Sequence, residues 1–281
     1  MTTSVPDIVI VGHFCYDLVD GAYILGGGAS YTSLAARALG YKVGVVTSVP
    51  KDFQFWSSFE GIEVVNVVAD EITIFENIYD EEGNRRQLLH ARGGLIGLEH
   101  IPEAWRKAKA ILLCPIAREL KADIASGLEA QWVGCCLQGW LRHWGADKRV
   151  FPVFPKQLDF LTGVDLNFCS YEDIDYREDR LASLREKSPY LIVTNGANGA
   201  DLFAEQKRTF AAFPANVLDP TGAGDVFAIT FLAKLQEGAA MEAAMVYANA
   251  GAAYCIEGKG TSKLATAIDL EARFSQMIQA Q

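Results

Sequence analysis

Residues 217–235 read VLDPTGAGDVFAITFLAKL. An apolar pair, expected as the end of a short strand, leads into Asp219-Pro220-Thr221 and then Gly222-Ala223-Gly224-Asp225. An apolar-periodic helix over 225–236 follows at once. Small residues at 222–224 allow the backbone to come close to a ligand. The first amides of a helix have no intrahelical acceptor, and with the positive end of the helix dipole they form an anion site. Asp225 then reads in two ways. It suits the start of a well-capped helix. It equally suits a carboxylate that takes the proton of an attacking hydroxyl, beside amides that bear the charge of a transferring phosphoryl group.

Outward from this segment, short apolar runs alternate with helical patterns. Strands are expected at 7–12 (DIVIVG), 43–49, 110–114, 132–137 and 191–194, and helices at 31–40 and 122–130. Such alternation predicts an α/β fold whose mostly parallel sheet is covered on both faces. Residues 62–89 depart from it. They are rich in β-branched and aromatic residues, with a turn signal at Glu82-Gly83-Asn84, and predict antiparallel strands outside the main sheet. The strands suit an edge hairpin or a lid over a pocket. No internal repeat or Pro/Ser-rich linker divides the chain, so residues 1–281 are expected to form a single domain.

Half of the residues are hydrophobic, 21% are charged, and the net charge is -10. That balance disfavours disorder, and it argues against nucleic-acid and membrane-surface partners. The opening MTTSVPDIVIVG lacks a basic n-region and a long apolar core, and no run reaches the roughly 18 apolar residues of a membrane span, so a cytoplasmic location is expected. Six cysteines without C-x-x-C spacing read as buried free thiols. There is no G-x-x-x-x-G-K-[ST], H-E-x-x-H or G-x-S-x-G string, and Gly26-Gly27-Gly28 lacks dinucleotide-binding spacing. Of four scattered histidines only His13, near Asp17, draws notice; Arg85-Arg86 suits a solvated pair or a reach towards substrate.

The D-x-T-G-A-G-D string at 219–225 resembles the C-terminal signature of the ribokinase/PfkB family of carbohydrate kinases. Residues 8–17 (IVIVGHFCYD), 26–40 (GGGASYTSLAARALG) and 191–200 (LIVTNGANGA) are similar to the family's first strand, its Gly-Gly motif and its nucleotide loop, in the same order. The resemblance implies a three-layer α/β/α sandwich with a small β-strand lid, formed mainly by about 62–92 with part of 13–25. It implies ATP-dependent phosphorylation of a hydroxyl on a small sugar or polyol, with Mg²⁺, and a pairing of lids in a homodimer. Carried onto this chain, Asp225 would be the catalytic base, and Gly222, Ala223 and Gly224 would supply the anion-hole amides. Asp17 and Gly27 would line the substrate pocket. Thr194, Gly196 and Gly199 would flank the ATP phosphates, and Asn249 would lie on the helix bordering the adenine. Asp219, with the loop around Gly258 and Gly260, would lie near the potassium-type cation site of many members.

Three departures bear on substrate and metal. Tyr31 stands where the family usually has Asn, and either stacks on a substrate ring or packs under the helix. Residues 137–142 (LQGWLR) replace D-P-N-x-R, leaving Arg142 as a candidate phosphate partner or a solvated arginine. Ser170-Tyr171-Glu172-Asp173 stands for N-x-x-E, with Glu172 or Asp173 able to orient water around Mg²⁺ or to serve as a solvated acidic helix start. GGGASY and LQGWLR together resemble the branch with plant myo-inositol kinases; inositol, a pentose, a hexose or a nucleoside are the acceptors in view. The competing reading is a non-catalytic sugar- or nucleotide-binding regulatory protein on a kinase scaffold.

Overall fold

The computed structural model describes residues 5–79 and 85–279. Along the chain run β1 (Ile8–Val11), β2 (Cys15–Val19), β3 (Ala22–Gly26), α1 (Gly28–Ala38), β4 (Val43–Thr47), β5 (Glu63–Asn66), β6 (Thr73–Tyr79) and β7 (Arg85–Ala91). There follow β8 (Ala110–Leu113), β9 (Trp132–Cys136), β10 (Arg142–Trp144), β11 (Arg149–Pro152), β12 (Leu166–Ser170), α2 (Glu178–Lys187), β13 (Tyr190–Thr194), β14 (Ala200–Phe203), β15 (Lys207–Phe210), α3 (Ala223–Gln236), α4 (Met241–Cys255) and α5 (Ala267–Gln279).

Nine strands form the main sheet in the order β15-β14-β13-β12-β9-β8-β1-β4-β5. The seven from β13 to β5 are parallel, and β14 and β15 add an antiparallel edge. Strand β1 shows why the apolar runs are unbroken. Ile8 and Ile10 enter one core with α1, α3 and α4, whereas Val9 and Val11 enter the other with Trp105, Ile124 and Leu184. A strand buried on both faces must be apolar at every position. Helix α3 is buried from Val226 to Ala233 because it packs between the sheet and its neighbours α1 and α4. The result is the expected three-layer arrangement, with α2 and several 3₁₀ turns on the second face. All six cysteines are buried and free. Among the described residues no helix is long and apolar enough to cross a membrane.

Three expectations are corrected. The helix expected at 122–130 is only a 3₁₀ turn, Ile124–Gly127. Ser126 turns its hydroxyl back on the Asp123 carbonyl (2.6 Å), and Gly127 packs against Leu98; serine and glycine both weaken a helix interior. Val217 and Leu218 lie exposed in a loop rather than in a strand. The segment expected as lid from 62 divides in two. β5 joins the main sheet beside β4, with Val64 packed on one core and Val65 on the other. Only β6 and β7 leave it, and the Glu82-Gly83-Asn84 turn lies outside the described residues.

The second sheet has six strands, β10-β11-β7-β6-β2-β3. It takes β2 and β3 from 15–26, as the resemblance implied, and also the β10–β11 hairpin, which was not foreseen. Its base is tied to the main sheet by His13, which is fully buried. Nε2 donates to the Gly94 carbonyl (2.8 Å), so Nδ1 accepts from the Thr73 hydroxyl (2.7 Å) and the ring is neutral. Burial lowers its pKa, against the pull of Glu119. Beside it, the buried Glu119 carboxylate accepts from the backbone N–H groups of His13, Ile116 and Ala117 at 3.2, 3.0 and 2.7 Å. His13 is thus structural and not part of the pocket. Glu119→Leu strands three buried donors, and we expect unfolding free energy to fall by about 3–5 kcal/mol in urea titration, since each orphaned group costs about 1–3 kcal/mol.

Candidate active site

A cavity of about 410 Å³ opens at the carboxyl ends of the parallel strands, under the second sheet. In α/β folds this edge is where ligands bind, because the strands end there and the following loops and helix starts converge. Its walls bring together Asp17, Gly27, Tyr31, Arg142, Thr194, Glu172, Asp173 and residues 222–225, which are distant in sequence. The cavity also takes Phe75, Asn77, Gln87 and Gln138, which sequence reasoning did not nominate. Alternation along β6 offered a signal, because residues 75 and 77 face one side of a strand.

Two carboxylates sit against glycines. Gly222 caps α3 in the left-handed region (φ 80°), and Asp225 lies in the first turn. A methyl group on Gly28, the first residue of α1, would lie 2.8 Å from Asp225 Oδ1. On Gly26 it would lie 2.2 Å from Asp17 Oδ2. The glycine run therefore serves the floor of the cavity by leaving room for acid side chains. A methyl on Gly222 would lie 2.1 Å from the Tyr31 ring, which is 3% exposed. Tyr31 thus supports the 222–225 loop from below while its edge lines the cavity.

Burial pushes the Asp225 carboxyl up to about 7; Arg142 pulls it down and Asp173 pushes it further up. Burial likewise raises Asp17 to about 6, against the attraction of Arg142 and a hydrogen bond from the Cys15 thiol (3.9 Å). Arg142 is the cation common to both carboxylates, and its guanidinium lies 5.8 Å from the Phe75 ring centroid.

The helix mouth differs from expectation in one amide. Ala223 N–H donates to the Pro220 carbonyl at 3.3 Å. Gly222, Gly224 and Asp225 keep N–H groups with no acceptor among the described residues, so three of the four amides are left for a ligand. Asp219 is engaged on both oxygens, by Thr221 N–H (2.9 Å) and Gly260 N–H (2.9 Å). Burial opposes its ionisation, but these bonds outweigh it and hold the carboxyl below its ordinary value. Asp219 therefore ties the 219–221 turn to the Gly258–Gly260 loop.

Asp173 accepts from the Ser170 N–H and hydroxyl, both at 2.8 Å, in a local turn. Glu172 is exposed and lines the cavity. Among the described residues no group of three or more His, Cys, Asp or Glu has metal-holding geometry. Thr194, at the end of β13, lines the cavity, whereas Gly196 (φ 52°) and Gly199 (φ 88°) shape the following turn outside its walls. Asn249 is likewise outside them. It is 6% exposed and donates to the Met245 carbonyl (3.1 Å) within α4, which uses one of its two amide donors.

Residues 155–267 match the model of the pfkB family carbohydrate kinase. Over 259 residues the chain is 27% identical to a cytidine kinase of Thermococcus kodakarensis, covering 84% of this chain and 91% of that one. It is 24% identical over 287 residues to an inositol 3-kinase of Arabidopsis thaliana, covering 91% and 75%. Its fold superposes with a TM-score of 0.80 on a pyrophosphate-dependent kinase in the ribokinase family complexed with a pyrophosphate analog and myo-inositol, at 21% identity over 94% of this chain and 99% of the other. For Arabidopsis thaliana ribokinase complexed with ribose and ATP the TM-score is 0.74, at 17% identity over 96% and 98%. The fold is ribokinase-like.

Two measurements test this geometry. Gly28→Ala should displace the Asp225 carboxylate with circular dichroism unchanged, and if Asp225 is a reacting group turnover should fall by about tenfold or more, because misplacement by ~1 Å is costly. The second is stability against pH. The unfolded Asp225 carboxyl loses its proton near the ordinary value of about 3.9, whereas the folded one keeps it to about 7. Between these values the folded state binds more protons, so its stability falls as pH rises. Asp225→Asn lacks this loss, so its Tm advantage over the unmodified protein should grow from pH 4 to pH 7 and then level off.

Proposed function

We propose that this chain, which carries a PfkB-family carbohydrate kinase domain, transfers the γ-phosphate of ATP to a hydroxyl of a small polyhydroxylated ring, with Asp225 as the general base. One observation carries the reading. The Asp225 carboxylate and the N–H groups of Gly222, Gly224 and Asp225 meet in one cavity that also holds Asp17 and Arg142. The amides suit a phosphoryl group, whose charge sits on its equatorial oxygens. Asp17 accepts from acceptor hydroxyls and orients the ring. Asp225, poised near 7, takes the proton of the attacking hydroxyl. Arg142 favours the ionised base and lies where it can approach the phosphate. The second sheet covers the cavity and limits water, which otherwise competes for the phosphoryl group.

The donor set fits Mg²⁺: Glu172 and Asp173, whose Oδ2 is the oxygen engaged by Ser170, would hold it through water. When bound, the metal neutralises charge on the phosphates. Each Asp219 oxygen accepts one amide proton, which leaves lone pairs with which Asp219 would hold a monovalent cation. As acceptor, inositol or a sugar suits the polar walls of the cavity, and the 27% identity to a cytidine kinase keeps a nucleoside in view. A second reading of the donor has its own support. The cavity wall reaches Thr194 and the 222–225 amides but not Gly196, Gly199 or Asn249, which suits inorganic pyrophosphate as well as ATP.

Product formation from Mg-ATP or Mg-pyrophosphate over myo-inositol, D-ribose and cytidine decides donor and acceptor. Asp225→Asn should cut turnover by at least about a hundredfold while ATP still binds; a smaller loss removes Asp225 as base. In the unmodified enzyme kcat/KM should fall as pH drops below about 7, and Arg142→Met should move that limb upward, because Arg142 lowers the Asp225 pKa.

A further inference from the structure

We propose that Glu257, which lies outside the cavity wall, is a positioning residue for the anion-binding amides: with Lys263 and Arg273 it clamps the 256–263 loop, and through that loop it sets where residues 222–225 stand. Its effect on turnover rests on the kinase reading above, whereas its effect on anion binding rests on the geometry.

The chain that enters the anion loop has no helix or strand of its own between the end of β15 and α3. It hangs instead from the loop that follows α4. The N–H groups of Leu218 and Asp219 both donate to the Ile256 carbonyl (2.8 and 3.2 Å), and Gly260 N–H donates to Asp219 Oδ2 (2.9 Å). The other Asp219 oxygen accepts from Thr221 N–H (2.9 Å), one residue before Gly222. The place of residues 256–260 therefore fixes the approach to the 222–225 amides.

Apart from a 3₁₀ turn at Gly260–Ser262 the 256–263 loop is irregular, and side chains close it. Glu257 Oε2 accepts from Lys263 Nζ (2.7 Å), at the far end of the loop, and from Arg273 Nη2 (2.6 Å) on α5. The Tyr254 ring, in the last turn of α4, has its centroid 4.7 Å from the Lys263 ammonium and 5.2 Å from the Arg273 guanidinium. A methyl on Gly258 would lie 2.4 Å from Lys263 Cβ, so the loop folds tightly back on itself. The Glu257 and Arg273 side chains are 15% and 18% exposed, so salt screens this pair less than a pair on the open surface. Burial opposes ionisation of Glu257, but the bonds from Lys263 and Arg273 outweigh it and hold the carboxyl below its ordinary value. One carboxylate thus joins the end of α4, the loop and α5. Amides that stabilise a developing charge must be in place before it develops. An irregular loop stays in place only where contacts offset its conformational entropy. The clamp supplies those contacts from a residue that touches no ligand.

The test uses the full chain, at a temperature where circular dichroism shows each variant folded. Glu257→Gln keeps the size of the side chain and removes its charge. With Mg-ATP or Mg-pyrophosphate and whichever of myo-inositol, D-ribose and cytidine turns over fastest, it should lower kcat by about tenfold and raise the donor KM, with the acceptor KM held within about twofold. Calorimetric titration with inorganic pyrophosphate, which needs no turnover, should show binding weakened by about tenfold. Arg273→Met frees α5 from the clamp and should move the same quantities in the same direction, so it carries the test if Glu257→Gln does not fold. Glu271→Gln, on the same helix, loses the bond from Tyr247 without touching the loop and should leave all of them unchanged. A folded Glu257→Gln with unaltered kcat, donor KM and pyrophosphate affinity, even at a lower Tm, overturns the inference and leaves the kinase reading intact. So does a rise in the acceptor KM alone. If the unmodified protein binds pyrophosphate but phosphorylates none of the three acceptors, the kinase reading fails and the calorimetric comparison still decides this inference. If it binds neither pyrophosphate nor ATP, both fail.

Discussion

The site depends on one contact, the approach of the Asp225 carboxylate to the backbone of Gly28, where the first turns of α3 and α1 meet. Burial there raises the pKa of the acid to about 7. The same burial would leave the acid protonated if Arg142 did not oppose it. The acidity of Asp225 is therefore a balance between two elements from different sheets: α3 on the main sheet supplies the acid, and β10 on the covering sheet supplies the cation.

This dependence organises the surroundings. Gly222 must be glycine both for its left-handed backbone and because Tyr31 fills the space a side chain would need. Tyr31 and Gly28 belong to the same helix, α1, so one helix packs against both the acid and the anion loop. Asp219 joins that loop to Gly260. The loop is thereby held from beneath and from the side, which suits amides that must be in place before charge develops.

The covering sheet is attached differently. Its link to the main sheet runs through a neutral buried His13, bonded to Thr73 of β6 and to the Gly94 carbonyl, over the fully buried Glu119. This polar anchorage specifies direction and register, whereas the two apolar cores on either side of the main sheet supply bulk stability.

The amino-acid sequence by itself determined the layered α/β architecture, because strands buried on both faces must be apolar throughout, and it determined the helix that opens after Gly222, because apolar periodicity begins directly behind the small residues. It located part of the cavity wall, Asp17, Tyr31, Arg142, Glu172, Asp173, Thr194 and Asp225 among it. Tertiary structure alone decided the rest. Whether 63–66 extends the main sheet or leaves it depends on a partner strand, β4, and not on the segment's own pattern. How far Asn249 is available depends on the packing of α4, which leaves it 6% exposed with one amide donor on the Met245 carbonyl one turn back. The cross-strand meeting of Asn77 and Gln87 is set by the register of β6 and β7. Local sequence encodes periodicity and backbone permission; which groups meet, and how strongly each is desolvated, arises only when distant segments pack.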